Sequence, residues 1–164
     1  MTRGSTRPLP LRLVLDTNIW LDWLVFDDQG IAPIKAAVGS GQAEISIDAA
    51  CEQELVRVLA YPLPKKTLDA ALQAACLAEC RRLTQMAKTG ERESGKARER
   101  DCGRLPICRD PSDQKFLKFA RDCRADFLVT KDLALLALAR RKIQRVPFRI
   151  VTPQQFTDAL KSTI

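Results

Sequence analysis

Arg12-Leu13-Val14-Leu15-Asp16-Thr17-Asn18 is the stretch whose reading decides the fold. A short, almost uninterrupted apolar run suits a strand buried on both faces, the environment of a central strand in a parallel sheet. The run stops on a carboxylate, and a helix pattern from Asn18 to Phe26 follows. The same alternation recurs at Ala43–Ile47, Asp126–Thr130 and Phe148–Val151, each a strand pattern followed by a helical one. Strands alternating with helices predict an α/β fold: a short, mostly parallel sheet with right-handed crossovers and helices on both faces. In such folds the carboxyl ends of the strands gather at one edge of the sheet.

Between the strands, Ile31–Val38 reads as a helix stopped by Gly39-Ser40-Gly41. Asp48 is placed to cap a helix carrying Cys51, Leu55, Val58 and Leu59, which Tyr61-Pro62-Leu63-Pro64 ends. Thr67 is placed to cap the next, whose stripe is Leu68, Ala71, Leu72, Ala75, Cys76, Cys80 and Leu83. Further helices are expected over Ser112–Cys123 and from Asp132 to about Lys142. The last one opens on Thr152-Pro153-Gln154-Gln155, a capping box with proline at the first helical position. Residues 1–11 read as a flexible tail and 12–164 as one domain. The segment 88–104 (KTGERESGKARERDCGR) loses apolar periodicity and reads as a solvated, mobile loop or a frayed helical extension.

The 164 residues carry 27 Lys and Arg against 20 Asp and Glu, a formal charge of +7, which favours a polyanionic partner such as nucleic acid. Histidine is absent, so Ser-His-Asp and Cys-His catalysis and His-ligated zinc or haem are excluded. The six cysteines are scattered in apolar company and read as reduced, cytoplasmic thiols. A zinc site from Cys76, Cys80, Cys102 and Cys108 lacks a C-x2-C knuckle, and core packing is the simpler role for Cys76 and Cys80. No apolar run approaches the roughly 20 residues needed to span a membrane.

Carboxylates must then carry the chemistry. Asp16, Asp110, Asp113 and Asp132 all stand where a strand ends or a helix begins, and Glu54 borders the apolar stripe of its helix. Each has a plain alternative. Asp16, Asp110 and Asp132 are good N-caps, Asp113 suits a first helical turn, and Glu54 can extend to water. Glu52 is comparably placed to Glu54, and spacing does not choose between them. Together, however, like charges about 4 Å apart repel by several kcal/mol at an effective dielectric near 20, so a cluster of such acids calls for a cation. Hard oxygen donors select Mg²⁺ or Mn²⁺.

Four stretches in this order, VLDTN (14–18), Glu54-Leu55 ahead of Val58-Leu59, DPSDQKFLKFA (110–120) and ADFLVTKDLALL (125–136), resemble PIN-domain ribonucleases, specifically the VapC-like toxin branch of toxin–antitoxin pairs. The resemblance implies a three-layer α/β/α sandwich and metal-dependent endonucleolytic cleavage of RNA, leaving a 5′-phosphate and a 3′-hydroxyl. It implies catalytic and metal-binding roles for Asp16, Glu54, Asp113 and Asp132, with Asn18, Thr130 and Asp110 in support. A small antitoxin and a homodimer are the partners it implies, and segment 88–104 has no counterpart in it. Lys131 and Lys115 are candidate phosphate contacts, with a solvated charged face as the simpler reading. Two other functions compete: a module that binds RNA or an antitoxin without cleaving, and a phosphotransferase with an aspartyl nucleophile at Asp16. The latter class wants a second Asp two residues on, where Asn18 stands.

Overall fold

The computed structural model describes residues 9–63, 66–88, 105, 107, 111–140 and 146–162, with backbone alone for 85–88 and 112. The strand at the start of the chain, β1 (Leu11–Leu15), leads into helix α1 (Thr17–Leu21). This helix passes directly into a π-helical turn, Asp22–Phe26, closed by Asp27 in the left-handed region. A 3₁₀ turn (Gln29–Ile31) then opens α2 (Ala32–Gly39), with Pro33 in its first turn, where no intrahelical N–H is required. Next come β2 (Ala43–Ser46), α3 (Ala49–Leu59) and α4 (Ala70–Lys88). A second 3₁₀ turn, Pro111–Asp113, precedes α5 (Gln114–Asp122). The chain continues through β3 (Phe127–Val129), α6 (Leu133–Ala139), β4 (Arg149–Val151) and α7 (Pro153–Ser162).

The four strands form one all-parallel sheet in the order β2-β1-β3-β4, with β1 and β3 at its centre. Both central strands are buried on both faces, as the apolar run from Leu13 to Leu15 requires. Their alternating side chains split the core in two. Leu13, Leu15, Phe127, Val129 and Val151 face one layer, packed with Ile19, Trp20, Ile34, Cys80 and Phe156. Val14, Leu128 and Ile150 face the other, with Phe116, Leu117, Ala120, Leu135 and Leu138. Two cores around one sheet make a three-layer α/β/α sandwich, and each fully buried Leu or Phe stabilises it by about 1.5–3 kcal/mol relative to exposure.

Local signals account for most helix starts. The Asp48 carboxylate accepts the Cys51 amide at 2.8 Å and caps α3. The box at α7 closes in both directions, Gln155 N–H to the Thr152 hydroxyl (3.1 Å) and Thr152 N–H to the Gln155 side chain (3.0 Å). Helix α4 departs from expectation. Its cap is Asp69, which accepts the Leu72 amide at 2.8 Å, and Thr67 lies outside the helix. Of the expected stripe, Leu68, Cys76, Cys80 and Leu83 are buried, whereas Ala71, Leu72 and Ala75 are exposed. The buried face of α4 proper is set by the 76, 80, 83 and 84 spacing, so its first turn projects past the core. Cys51 is buried as well, and the four described cysteines are free thiols. Cys102 and Cys108 lie outside the described residues, as do residues 1–8, the segment 89–104, Asp110, Arg141 and Lys142.

Candidate active site

The order β2-β1-β3 means that the chain leaves β1 toward one edge and returns to its other side, so the carboxyl ends of β1 and β3 bound the topological switch point of the sheet. Asp16 stands immediately after β1, its amide bonded to the Val129 carbonyl at 3.0 Å. Thr130 stands immediately after β3, its amide bonded to the Val151 carbonyl at 2.9 Å. These backbone bonds fix both residues at the crevice. The Thr130 hydroxyl donates to Asp16 Oδ2 at 2.8 Å and accepts the Asp132 amide at 2.9 Å, tying the two strand ends together.

Asp16 occupies the N-cap position of α1, yet its side chain makes no cap hydrogen bond. The capping explanation therefore fails for this residue. It is only 4% exposed. Burial pushes its carboxyl above the ordinary value; hydrogen bonds from Thr130 and the Thr17 amide oppose that shift, and the nearby charges of Asp132 and Glu54 add to it. Asp16, Asp132 and Glu54 thus share one electrostatic environment. Asp132 does act as a cap: its Oδ1 accepts the Ala134 and Leu135 amides at 2.7 and 3.3 Å, which holds its carboxylate at the start of α6.

Glu54 reaches the site from α3. Its Oε2 accepts the Thr17 hydroxyl at 2.5 Å, and its Oε1 lies 2.7 Å from Lys115 Nζ and 3.7 Å from Arg57. Glu52, two residues earlier and so on nearly the opposite side of the helix, pairs with Arg81 at 2.7 Å. That contact separates the two glutamates. It lies beside a groove of about 560 Å³ between α3 and α4, lined by Glu52, Val56, Arg81 and Thr84 and by none of the site acids.

Asp113 is half-buried at the end of the 3₁₀ turn ahead of α5, two residues before Lys115. Asn18 is exposed, one residue past Thr17 on α1, and the side chain that reaches the acids from that helix is Thr17. Spacing does not single out Thr17; the signal available in the sequence is a hydroxyl residue directly after an Asp at a strand end. Lys131 lies 2.6 Å from Asp22 and 3.7 Å from Asp28, and Asp22 is the main cause of its raised pKa.

Among the described residues, no three Cys, Asp or Glu side chains stand close enough together to hold one metal ion. The donor chemistry still suits a hard divalent cation: the donors are carboxylates, and Asp16 is buried beside two further negative charges with a hydroxyl as its side-chain partner. Glu54 is turned toward Lys115 in this arrangement.

A parallel α/β sandwich with carboxylates and hydroxyls at its switch point defines a class of acid-centred α/β proteins. Within that class, the PIN-domain family model matches residues 12–134, and the chain belongs to the PIN-domain family, a family typically of nucleases that generally use divalent metal ions. No curated protein and no solved structure matches the chain. Among the described residues, no helix is long and apolar enough to cross a membrane.

Proposed function

We propose that the protein is a Mg²⁺- or Mn²⁺-dependent endoribonuclease, the toxin of a toxin–antitoxin pair acting in the cytoplasm. The observation that carries the reading is Asp16, a buried, non-capping carboxylate at the switch point whose charge is opposed by Asp132 and Glu54. Asp16, Asp113, Asp132 and Glu54 would hold the ion, which when bound supplies a water of lowered pKa and stabilises charge on the scissile phosphate. Thr130 orients Asp16 through Oδ2, and Thr17 orients Glu54. Lys131, which pairs with Asp22, and Lys115 are the candidate contacts for a substrate phosphate, and Asp110 belongs to the same acidic stretch as Asp113. The basic surplus of the chain suits RNA. The resemblance to the toxin branch supports a small antitoxin and a homodimer as partners.

Incubating purified protein with structured and single-stranded RNA tests this directly. Cleavage to 5′-phosphate ends with Mn²⁺, and none with chelator, is expected; RNA left intact under both conditions would overturn it. The engagement of Glu54 by Lys115 favours a second reading, a module that binds RNA or antitoxin without cleaving. Calorimetric binding of RNA by a wild type that never cleaves would establish that reading instead.

A further inference from the structure

Both carboxylate oxygens of Glu54 have partners supplied by side chains of other elements. Thr17 of α1 holds Oε2, and Lys115 of α5 holds Oε1, with Arg57 further off on the same oxygen. The pair is shielded: the Glu54 side chain is 11% exposed and that of Lys115 24%. An ammonium so placed does for Glu54 what a divalent ion would do for the whole acid group, which is to neutralise it in a partly desolvated crevice. Asp16, by contrast, has the Thr130 hydroxyl as its side-chain partner, and burial pushes its carboxyl up.

We infer that Lys115 is the resident cation of the ion-free site and competes with the divalent ion for Glu54. This rests on the metal-dependent reading above. Glu54 is then a conditional ligand. Glu54 pairs with Lys115 and would turn to a divalent ion if the aspartates held one; Lys115, at the first turn of α5, would then be freed toward the crevice where a substrate phosphate would lie. The exchange is one ion pair for another, with no proton transferred and no bond made or broken. Two roles follow for one lysine: it steadies Glu54 when no ion is bound, and it lowers the affinity of the site for the ion.

The test is Mn²⁺ binding by calorimetry, without RNA, to the full chain and to variants. Lys115→Met removes the competitor and should bind Mn²⁺ on the order of tenfold more tightly. Lys115→Arg, whose planar fork grips a carboxylate at two points, should bind more weakly than wild type and serves as the readout if Lys115→Met does not fold. In a Glu54→Gln background, Lys115→Met should change the affinity little, because the competition acts through that carboxylate. An equal gain in both backgrounds would mean simple repulsion between Lys115 and the ion, and would overturn the exchange. So would unchanged or weaker binding by Lys115→Met with wild-type binding intact, a result that leaves the metal-dependent reading standing. Absence of Mn²⁺ binding by every variant would remove both.

Discussion

Replacing Asp16 with Asn should stabilise the ion-free protein, although Asp16 is the most deeply buried of the described site acids. Its charged form is opposed by burial and by the charges of Asp132 and Glu54, while the one side chain that bonds it, Thr130, can donate equally to an Asn carbonyl oxygen. The sign of the pH dependence follows from the raised pKa. Between the ordinary value of 3.8 and the higher folded value, the folded protein holds a proton that the unfolded chain has released, so the contribution of Asp16 to stability is full below 3.8 and is lost as pH rises through the folded pKa. Asn does not titrate. The advantage of Asp16→Asn over wild type should therefore grow as pH rises from about 4 through the folded pKa and level off above it. Relieving a functional site of this kind typically gains about 0.5–2 kcal/mol. At this chain length each kcal/mol moves Tm by about 2–4 °C. Thermal melts in chelator at pH 4 and pH 7 read this directly, and Mn²⁺ supplies the converse: at 100 times its Kd the ion stabilises wild type by about 2.7 kcal/mol, and the variant by far less. The order of the two melting temperatures should invert on adding Mn²⁺. A variant that melts below wild type in chelator at pH 7 would refute the reasoning, because Asp16 would then be a structural acid that the fold needs charged.

Other consequences are smaller and separable. Thr17→Val leaves one Glu54 oxygen without its hydroxyl and should cost about 1–2 kcal/mol in chelator melts, whereas Asn18→Ala, at an exposed position, should stay within about 0.5 kcal/mol. Burial drives the Cys80 thiol up to about 12 and the Cys51 thiol higher still, so native protein at pH 8 should alkylate at neither, and both should react once urea unfolds the chain; labelling of Cys80 in the native state would contradict its place in the core. Thr152→Ala opens the capping box of α7 and should cost about 1 kcal/mol by urea melts, with RNA cleavage unaffected.

Much of this fold is legible from local chemistry. The run Leu13–Leu15 reads as a strand buried on both faces and is one, and the caps at Asp48 and Thr152 close as their spacing requires. What local chemistry misses is set by packing. Asp22–Phe26 continues the apolar pattern of α1 without a break, and nothing in those five residues separates a π turn from an α turn, whose hydrogen bonds differ in reach by one residue. Asp69 displaces Thr67 as the cap of α4 because the helix starts later than its apolar residues suggest, and a carboxylate there meets the Leu72 amide.

The site divides in the same way. Asp16, Thr130 and Asp132 follow from strand ends, since the backbone bonds of a parallel sheet bring those ends together. Glu54 and Glu52 were equivalent by spacing, and only the neighbours of α3, Thr17 and Lys115 on one side and Arg81 on the other, give them different roles. Lys115 and Lys131 read as surface charge in the sequence. In the fold both are paired with carboxylates, because α5 leans over α3 and the end of β3 meets the π turn.

The central claim is that Asp16 anchors a metal-dependent ribonuclease centre, and single-turnover cleavage of an RNA by wild type and Asp16→Asn, with Mn²⁺ and both proteins shown to be folded by their melts, tests it most directly. The account predicts cleavage by wild type that chelator abolishes, and a loss of at least about 100-fold in the variant despite its higher stability in chelator. Equal rates for the two proteins would contradict it.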